Sequence, residues 1–302
     1  VAGVMEHIEE AGIHSGDSAC CTPPFSLSLS LQGQLRDIAR RLALRLGVVG
    51  LLNIQFAIKD QVIYVIEANP RASRTVPFVS KSTGVPLAKI AARIMAGEKL
   101  ADLHLPADDR EFDYFCVKEA VMPFGRFPGS DVVLGPEMKS TGEVMGIAGN
   151  FPAAFTKTQL AIDYEPPRGG EVFISVNDGD KRNITAIARS VARLGFSLVA
   201  TTGTARALRA SGIECEEVGK IHAGSHTILD RIASGEIVLM INTPFGSSTN
   251  TDGYEMRAAC VRHGVSYCTT LAGAQALIAG MEAVRETGLD VIALQDLPQW
   301  EG

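Results

Sequence analysis

Asn53-Ile54-Gln55-Phe56-Ala57-Ile58-Lys59-Asp60-Gln61-Val62-Ile63-Tyr64-Val65-Ile66-Glu67-Ala68-Asn69-Pro70-Arg71 is the stretch on which the fold of the first half of the chain turns. Two apolar runs flank a short polar turn, the pattern of an antiparallel hairpin. With Asp60 to Val62 as the loop, Gln55 lies opposite Glu67, within cross-strand reach. Asn69 follows two residues later and so shares the face of Glu67. One face then gathers two amide oxygens and a carboxylate. These are hard oxygen donors of the kind Mg²⁺ and Mn²⁺ accept, and a single carboxylate among neutral oxygens suits an ion also held by phosphates. Arg71 comes directly after, and its guanidinium fork matches a phosphate or carboxylate oxygen pair. The plain alternative is a strand pair that ends in polar residues, with Arg71 and Arg74 in surface ion pairs.

Working outward, 302 residues suit about two domains. A hydrophobic content of 46% with 21% charged residues is ordinary for a globular chain with a proper core. The net charge of -6 argues against a general nucleic-acid binder. No apolar run approaches the roughly 20 residues needed to span a bilayer, and no signal peptide opens the sequence. Cys20, Cys21, Cys116, Cys215, Cys260 and Cys268 form neither a Cys-x-x-Cys pair nor a zinc pattern. Scattered thiols of this kind fit a reducing cytoplasm, where they act as small buried hydrophobes.

Leu31 to Leu46 repeats Leu and Ile at helical spacing and reads as an amphipathic packing helix. A second helix covers 86–97, stopped near Gly97, and strands are expected around 111–122. Asp163-Tyr164-Glu165-Pro166-Pro167-Arg168-Gly169-Gly170 is the clearest linker, since its prolines and glycines cannot sit inside a regular element. Beyond it the pattern changes. Strands at 172–176, 197–201, 237–241 and 265–268 alternate with helices at 184–194, 204–210, 226–233, 254–263 and 271–287. That alternation means parallel βαβ units, in a sheet of about five strands with helices on both faces. Thr201-Thr202-Gly203-Thr204 lies where a strand meets a helix, and the free N–H groups of a helix start favour an anion. N-capping by Thr202 or Thr204 is the ordinary alternative.

Glu67-Ala68-Asn69-Pro70-Arg71-Ala72-Ser73-Arg74-Thr75-Val76-Pro77-Phe78, after a Gln-bearing strand, resembles the C-terminal lobe of an ATP-grasp enzyme. More narrowly it resembles the carbamoyl phosphate synthetase large-subunit family. Val79 to Lys89 and Gly135-Pro136-Glu137-Met138-Lys139-Ser140-Thr141-Gly142-Glu143-Val144-Met145-Gly146 continue the likeness, which covers essentially the whole chain. The fold it implies is α/β: a partial α+β ATP-grasp lobe at 1–163, then a Rossmann-like, methylglyoxal-synthase-like allosteric domain at 170–302. It implies a piece of a longer polypeptide, inactive alone because the other ATP-grasp lobe is missing. The parent would be an ATP-dependent, glutamine-hydrolysing ligase in the cytoplasm, with no membrane or nucleic-acid partner. Carbamate, formed from bicarbonate and ammonia, would be phosphorylated to carbamoyl phosphate, and a separate small glutaminase subunit would supply the ammonia.

The resemblance also assigns residues. Gln55, Glu67 and Asn69 match the ligands of Mg²⁺ or Mn²⁺, Gln55 and Glu67 serving ATP as well, and Arg71 matches the arginine against the transferring phosphoryl group. Gly12, Ile13, His14 and Ser15 match positions lining the nucleotide; the plain reading of His14 is a solvated loop residue. Lys181, Thr201, Thr204, Lys220, Asn242 and Thr243 match an effector pocket for a nucleotide monophosphate such as UMP or IMP. Glu9, Asp17, Glu119 and Thr269 match positions around an activator pocket for ornithine. Two departures stand out in Pro244-Phe245-Gly246-Ser247-Ser248-Thr249-Asn250. It lacks the aspartate that methylglyoxal synthase uses, so lyase activity is not expected. It also has serines where some relatives of the synthetase carry Lys or Arg, which points to weaker effector binding. The rival readings are a nucleotide-binding regulatory module without catalysis, and a different ATP-grasp ligase.

Overall fold

The computed structural model describes residues 1–107, 111–127, 131–219, 227–244 and 251–298. In chain order the first half runs β1 (Glu6–His7), β2 (Cys20–Thr22), α1 (Leu29–Arg45), β3 (Asn53–Lys59), β4 (Val62–Asn69), α2 (Thr75–Thr83), α3 (Leu87–Met95), β5 (Phe115–Val121), β6 (Gly142–Ala148) and α4 (Phe151–Ala161). The second runs β7 (Glu171–Ser175), α5 (Ile184–Arg193), β8 (Ser197–Thr201), α6 (Thr202–Ala210), β9 (Glu216–Val218), α7 (Ile228–Ala233), β10 (Ile237–Asn242), α8 (Thr251–His263), β11 (Ser266–Cys268) and α9 (Leu271–Thr287).

Three sheets result. β1-β2-β5-β6 is antiparallel, β3 and β4 form the expected hairpin, and β11-β10-β7-β8-β9 is parallel. The hairpin reaches its register by a route other than the one expected. Its turn has two residues, Asp60 and Gln61, at φ 50° and 64°, the positive values that a tight hairpin of matching twist demands. Lys59 therefore pairs with Val62, and Phe56 with Val65. A bulge then sets Ile66 aside, so that Gln55 faces Glu67 after all and Asn53 faces Asn69.

The parallel sheet is buried on both faces, as its runs Val172-Phe173-Ile174 and Leu239-Met240-Ile241 require. Its order reverses between β7 and β10, which opens a crevice at the carboxyl ends of those strands. The junction with the first half is α4. Asn150 caps it by accepting from Ala153 N at 2.9 Å, and Pro152 sits harmlessly in the first turn. Ala153, Ala154 and Phe155 belong to one core cluster with Val117 of β5 and with Ala274, Ala276 and Leu277 of α9.

One expectation of packing is met only in part. α1 is the anticipated amphipathic helix, started by Ser28, whose hydroxyl accepts from Leu31 N. Of its aliphatic side chains only Leu35 is buried, while Leu29 and Leu44 stand 73% and 83% exposed. The hairpin shares this trait: Val62, Tyr64, Val65 and Ile66 are all exposed. No helix among the described residues is long and apolar enough to cross a membrane.

Candidate functional site

The hairpin face carries Asn53, Gln55, Glu67 and Asn69, because directly opposed partners share a face and so do alternate residues. Gln55 and Asn69 are half-buried and Glu67 is exposed. Three of these were expected from sequence; Asn53 was not, although its place two residues before Gln55 puts it on the same side. Among the described residues no three of His, Cys, Asp and Glu gather into a metal-ligating group. Any ion here therefore rests on one carboxylate plus amide oxygens. That donor set fits a hard cation that takes further ligands from elsewhere.

Arg71 is exposed, its Nη1 donating to Ala72 O at 3.1 Å. Arg74 behaves differently. Its Nη2 donates to Gly16 O at 3.1 Å and to Ser140 Oγ at 2.5 Å. This draws the turn after His14 to the end of the hairpin. A Cβ on Gly16 would lie 2.6 Å from that same Nη2, so a larger residue here would displace the Arg74 guanidinium. Within the turn, Gly12 adopts φ +104°. His14 Nδ1 accepts from Gly16 N at 3.0 Å, and His14 N donates to Gly135 O at 2.8 Å. His14 is thus a structured turn residue and not a freely solvated one. Ser15 offers its carbonyl to Lys118 Nζ at 3.5 Å. Asp17, 1% exposed, accepts from Lys139 N at 2.7 Å and Ser140 N at 2.9 Å. Burial alone would raise its pKa, but these bonds hold the carboxyl below its ordinary value. Both carboxylate oxygens are occupied by backbone, which makes Asp17 a clamp on the 139–140 strand entry.

At the carboxyl end of the parallel sheet lies a cavity of about 370 Å³ lined by Ser175, Asn177, Thr201, Asn242, Thr243 and Arg257, among others. The first N–H groups of α6 open on it: Thr201 is the N-cap and makes no side-chain capping bond. Of the residues expected here, Thr201, Asn242 and Thr243 line the cavity. Lys181 hangs over the start of α6, since a Cβ on Gly203 would lie 2.9 Å from its Nζ; it pairs with Asp178. Thr204 is 1% exposed and its hydroxyl accepts from Val176 N at 3.2 Å, so it braces the cavity from beneath. Lys220 lies outside the described residues, as does the stretch 245–250 with Ser247 and Ser248. Sequence reasoning missed Asn177, which receives two backbone N–H groups and bonds Thr243 Oγ1 at 3.1 Å, and Arg257.

Between the two halves sits a buried polar group. Lys118, 1% exposed, shares it with Glu9 and Glu119. Glu9 accepts from Ala19 N at 2.7 Å, and Glu119 accepts from Gln159 Nε2 at 3.0 Å. Burial pushes both carboxyls well above their usual range, and the two acids also repel one another. His7 is pushed down to about 4 by burial and by the Lys118 charge. Cys268, next to Thr269, is within electrostatic reach of both acids.

Residues 1–103 match the family described as carbamoyl-phosphate synthase L chain, ATP binding domain, and residues 183–269 match the MGS-like domain. The carbamoyl phosphate synthase large chain of Archaeoglobus fulgidus is 52% identical over 297 residues, covering 98% of this chain and 28% of the relative. That of Pasteurella multocida is 51% identical over 300 residues, 99% of this chain and 28% of the relative. Among solved structures, the biotin carboxylase domain of a thermophilic 2-oxoglutarate carboxylase aligns at a TM-score of 0.42 with 17% identity, over 54% of this chain and 42% of that one. The chain spans a little over a quarter of the length of these curated relatives. It belongs to the carbamoyl phosphate synthase large-chain family, matching the part of its members that joins an ATP-binding region to an MGS-like domain.

Proposed function

We propose that this chain is the part of a glutamine-hydrolysing carbamoyl phosphate synthase large subunit in which ATP phosphorylates carbamate, together with its nucleotide-effector domain. The observation that carries the reading is the hairpin register, with Gln55 opposite Glu67 and Asn69 on the same face, in a chain about half identical to such synthases. Residues 1–163 are taken as the partial ATP-grasp unit and 170–302 as the effector unit. Gln55, Glu67 and Asn69 would hold Mg²⁺ or Mn²⁺. Such an ion neutralises phosphate charge during phosphoryl transfer. Arg71 would lie against the transferring group, and the Gly12–Ser15 turn, fixed by His14 and by Arg74, would line the nucleotide. Ammonia would come from a small glutaminase subunit. UMP or IMP would occupy the cavity beside Thr201 and Lys181, and an ornithine-like cation the polar group around Glu9 and Glu119. Six free cysteines are in keeping with the cytoplasm.

A second reading holds for the chain alone. Glu67 and Arg71 face solvent, whereas the cavity of the parallel sheet is walled by this chain's own residues. By itself the chain would bind a nucleotide without synthesis, because the phosphates lack cover and the site stays wet.

A chimera separates these readings. The matching segment of the Archaeoglobus large chain is replaced by this one, and ammonia-dependent carbamoyl phosphate formation from ATP and bicarbonate is measured. The chimera should be active, and Glu67→Gln should lower turnover by about a hundredfold or more, equivalent to about 2.7 kcal/mol of barrier. A Glu67→Gln chimera turning over near the parent rate at ordinary Mg²⁺ would overturn the metal assignment.

A further inference from the structure

Arg257, in α8, is 4% exposed and lines the cavity of the parallel sheet. All three nitrogens of its guanidinium are engaged. Nε donates to Asp131 Oδ1 at 2.8 Å and Nη2 to Asp131 Oδ2 at 2.7 Å, a bidentate pair that spans 126 residues of sequence. Nη1 donates to Asn242 Oδ1 at 2.8 Å. Asn242 is a cavity wall in its own right, and its Nδ2 donates to Ser175 O at 3.1 Å.

From Asp131 the contacts continue away from the cavity. Lys139 Nζ donates to Asp131 O at 3.0 Å and to Val133 O at 2.8 Å. The same residue's main chain, with that of Ser140, donates to the Asp17 carboxylate, and Ser140 Oγ donates to Gly16 O at 3.0 Å. Asp17 N returns to His14 O at 2.9 Å. A chain of short polar contacts therefore leads from the cavity wall to the turn that Arg74 holds against the hairpin.

We infer that Arg257 is a positioning residue that couples occupancy of the cavity by a nucleoside monophosphate to the 131–140 segment and to the His14–Asp17 turn. The inference rests on the cavity being an effector pocket. Three of its five N–H groups hold these bonds, at least one on each nitrogen, so an acceptor that draws the guanidinium toward the cavity pulls against bonds already made. A ligand oxygen that takes Nη1, or that turns Asn242, shifts the balance of the fork on Asp131. Burial makes that shift consequential, since a paired charge out of water tolerates little slack. Arg suits this role and Lys does not, because only the planar fork serves Asp131 with two bonds and Asn242 with a third. A ligand moves such an element only as far as it binds one arrangement better than the other.

The test uses the full 302-residue chain, with UMP and IMP as probes, calorimetry for binding, and amide hydrogen exchange for the response. In the wild type, nucleotide should change exchange at 131–140 and 14–17 by about fivefold or more, the lower range of allosteric coupling. In Asp131→Asn, a residue outside the cavity, nucleotide should still bind and still alter exchange at 201–205. The response at 131–140 and 14–17 should be lost. Where that variant does not fold, Lys139→Met serves: it lies outside the cavity and removes the Nζ bonds to Asp131 O and Val133 O, so nucleotide should still bind while the response at 14–17 is lost. A variant that merely loosens 131–140, with or without nucleotide alike, while the nucleotide-dependent difference persists, would overturn the inference. Saturable binding to the wild type with unchanged exchange at 131–140 would leave the effector pocket standing and refute the coupling. No saturable heat with either nucleotide would remove the pocket reading and this inference with it.

Discussion

Gly146→Ala is the sharpest test of how the two halves are joined. Gly146 lies in β6 beneath α4. A Cβ at this position would be 2.2 Å from Ala154 O, 2.9 Å from Lys157 Cβ and 3.0 Å from Thr158 N. Two of these are backbone atoms of a helix, so no rotamer change relieves the contact. Restoring an ordinary separation of 3.4 Å moves α4 by about 1.2 Å. α4 packs on the other side against α9, so the shift disturbs Ala153, Ala154 and Phe155 in the shared core. A radial gap of only about 0.5–1 Å already forfeits roughly a quarter to a half of each dispersion contact. The expected cost is about 3 kcal/mol or more, at or above the upper end of overpacking. Thermal unfolding should fall by roughly 6–12 °C. The sign is diagnostic, because replacing a strand glycine by alanine is otherwise favourable by about 0.5–1 kcal/mol. Gly280→Ala provides the comparison at the other face. There the nearest atom is Thr156 Oγ1, at 2.2 Å, with Pro152 O at 3.2 Å. Removing that hydroxyl with Thr156→Ala should recover most of the loss, a rescue that no side-chain change offers Gly146→Ala. A Gly146→Ala protein as stable as wild type in calorimetry would refute the close helix–sheet contact.

Two further perturbations bear on the polar groups. Asp17→Asn leaves one of two buried backbone N–H donors facing an amide NH₂, so stability should fall by about 2–4 kcal/mol in denaturant titration; a loss under about 0.5 kcal/mol would show that the clamp on 139–140 is dispensable. Glu9 and Glu119 have raised folded pKa values, about 8 and about 7. The folded chain therefore holds protons that the unfolded chain releases near the ordinary value of 4.5, so their contribution is complete below that pH and is lost progressively as pH rises from there to about 7 to 8. Unfolding free energy should decline over that window, and Glu9→Gln should flatten the decline; an unchanged slope in the variant would exclude this pair as its source.

The hairpin was legible because oxygen donors at alternate positions flank an apolar run, and that pattern survives an error in the turn. The loop was taken one residue too long, and the bulge at Ile66 supplied the compensating residue. The parallel half was legible from its alternation of buried strands and helices; α9 falls on 271–287 as its periodicity indicates. β6 escaped notice because Gly142 and Gly146 interrupt it, and the second of these is there for the helix above. α4 escaped because Pro152 reads as a breaker, although after an Asn cap it is compatible with a first turn. Asn53 had a signal, its spacing from Gln55. Arg257 had none, because its partner Asp131 is remote in sequence and nothing local in α8 marks it.

The junction also shows where stability has been set aside. Apolar packing between α4, β5 and α9 joins the halves, yet the buried Lys118 and the half-buried Glu9 and Glu119 lie beside it, and Arg257 with Asp131 crosses at another point. Well-packed apolar residues of similar volume would commonly be as stable or more so. Two like-charged carboxyls held near one another are costly unless protonated or met by a cation, which makes this part of the junction sensitive to what is bound and to pH. A seam made only of apolar contacts fixes one arrangement of the halves. Under the coupling inferred above, polar contacts at two separate points would let a ligand shift the arrangement as far as it binds one form better than the other.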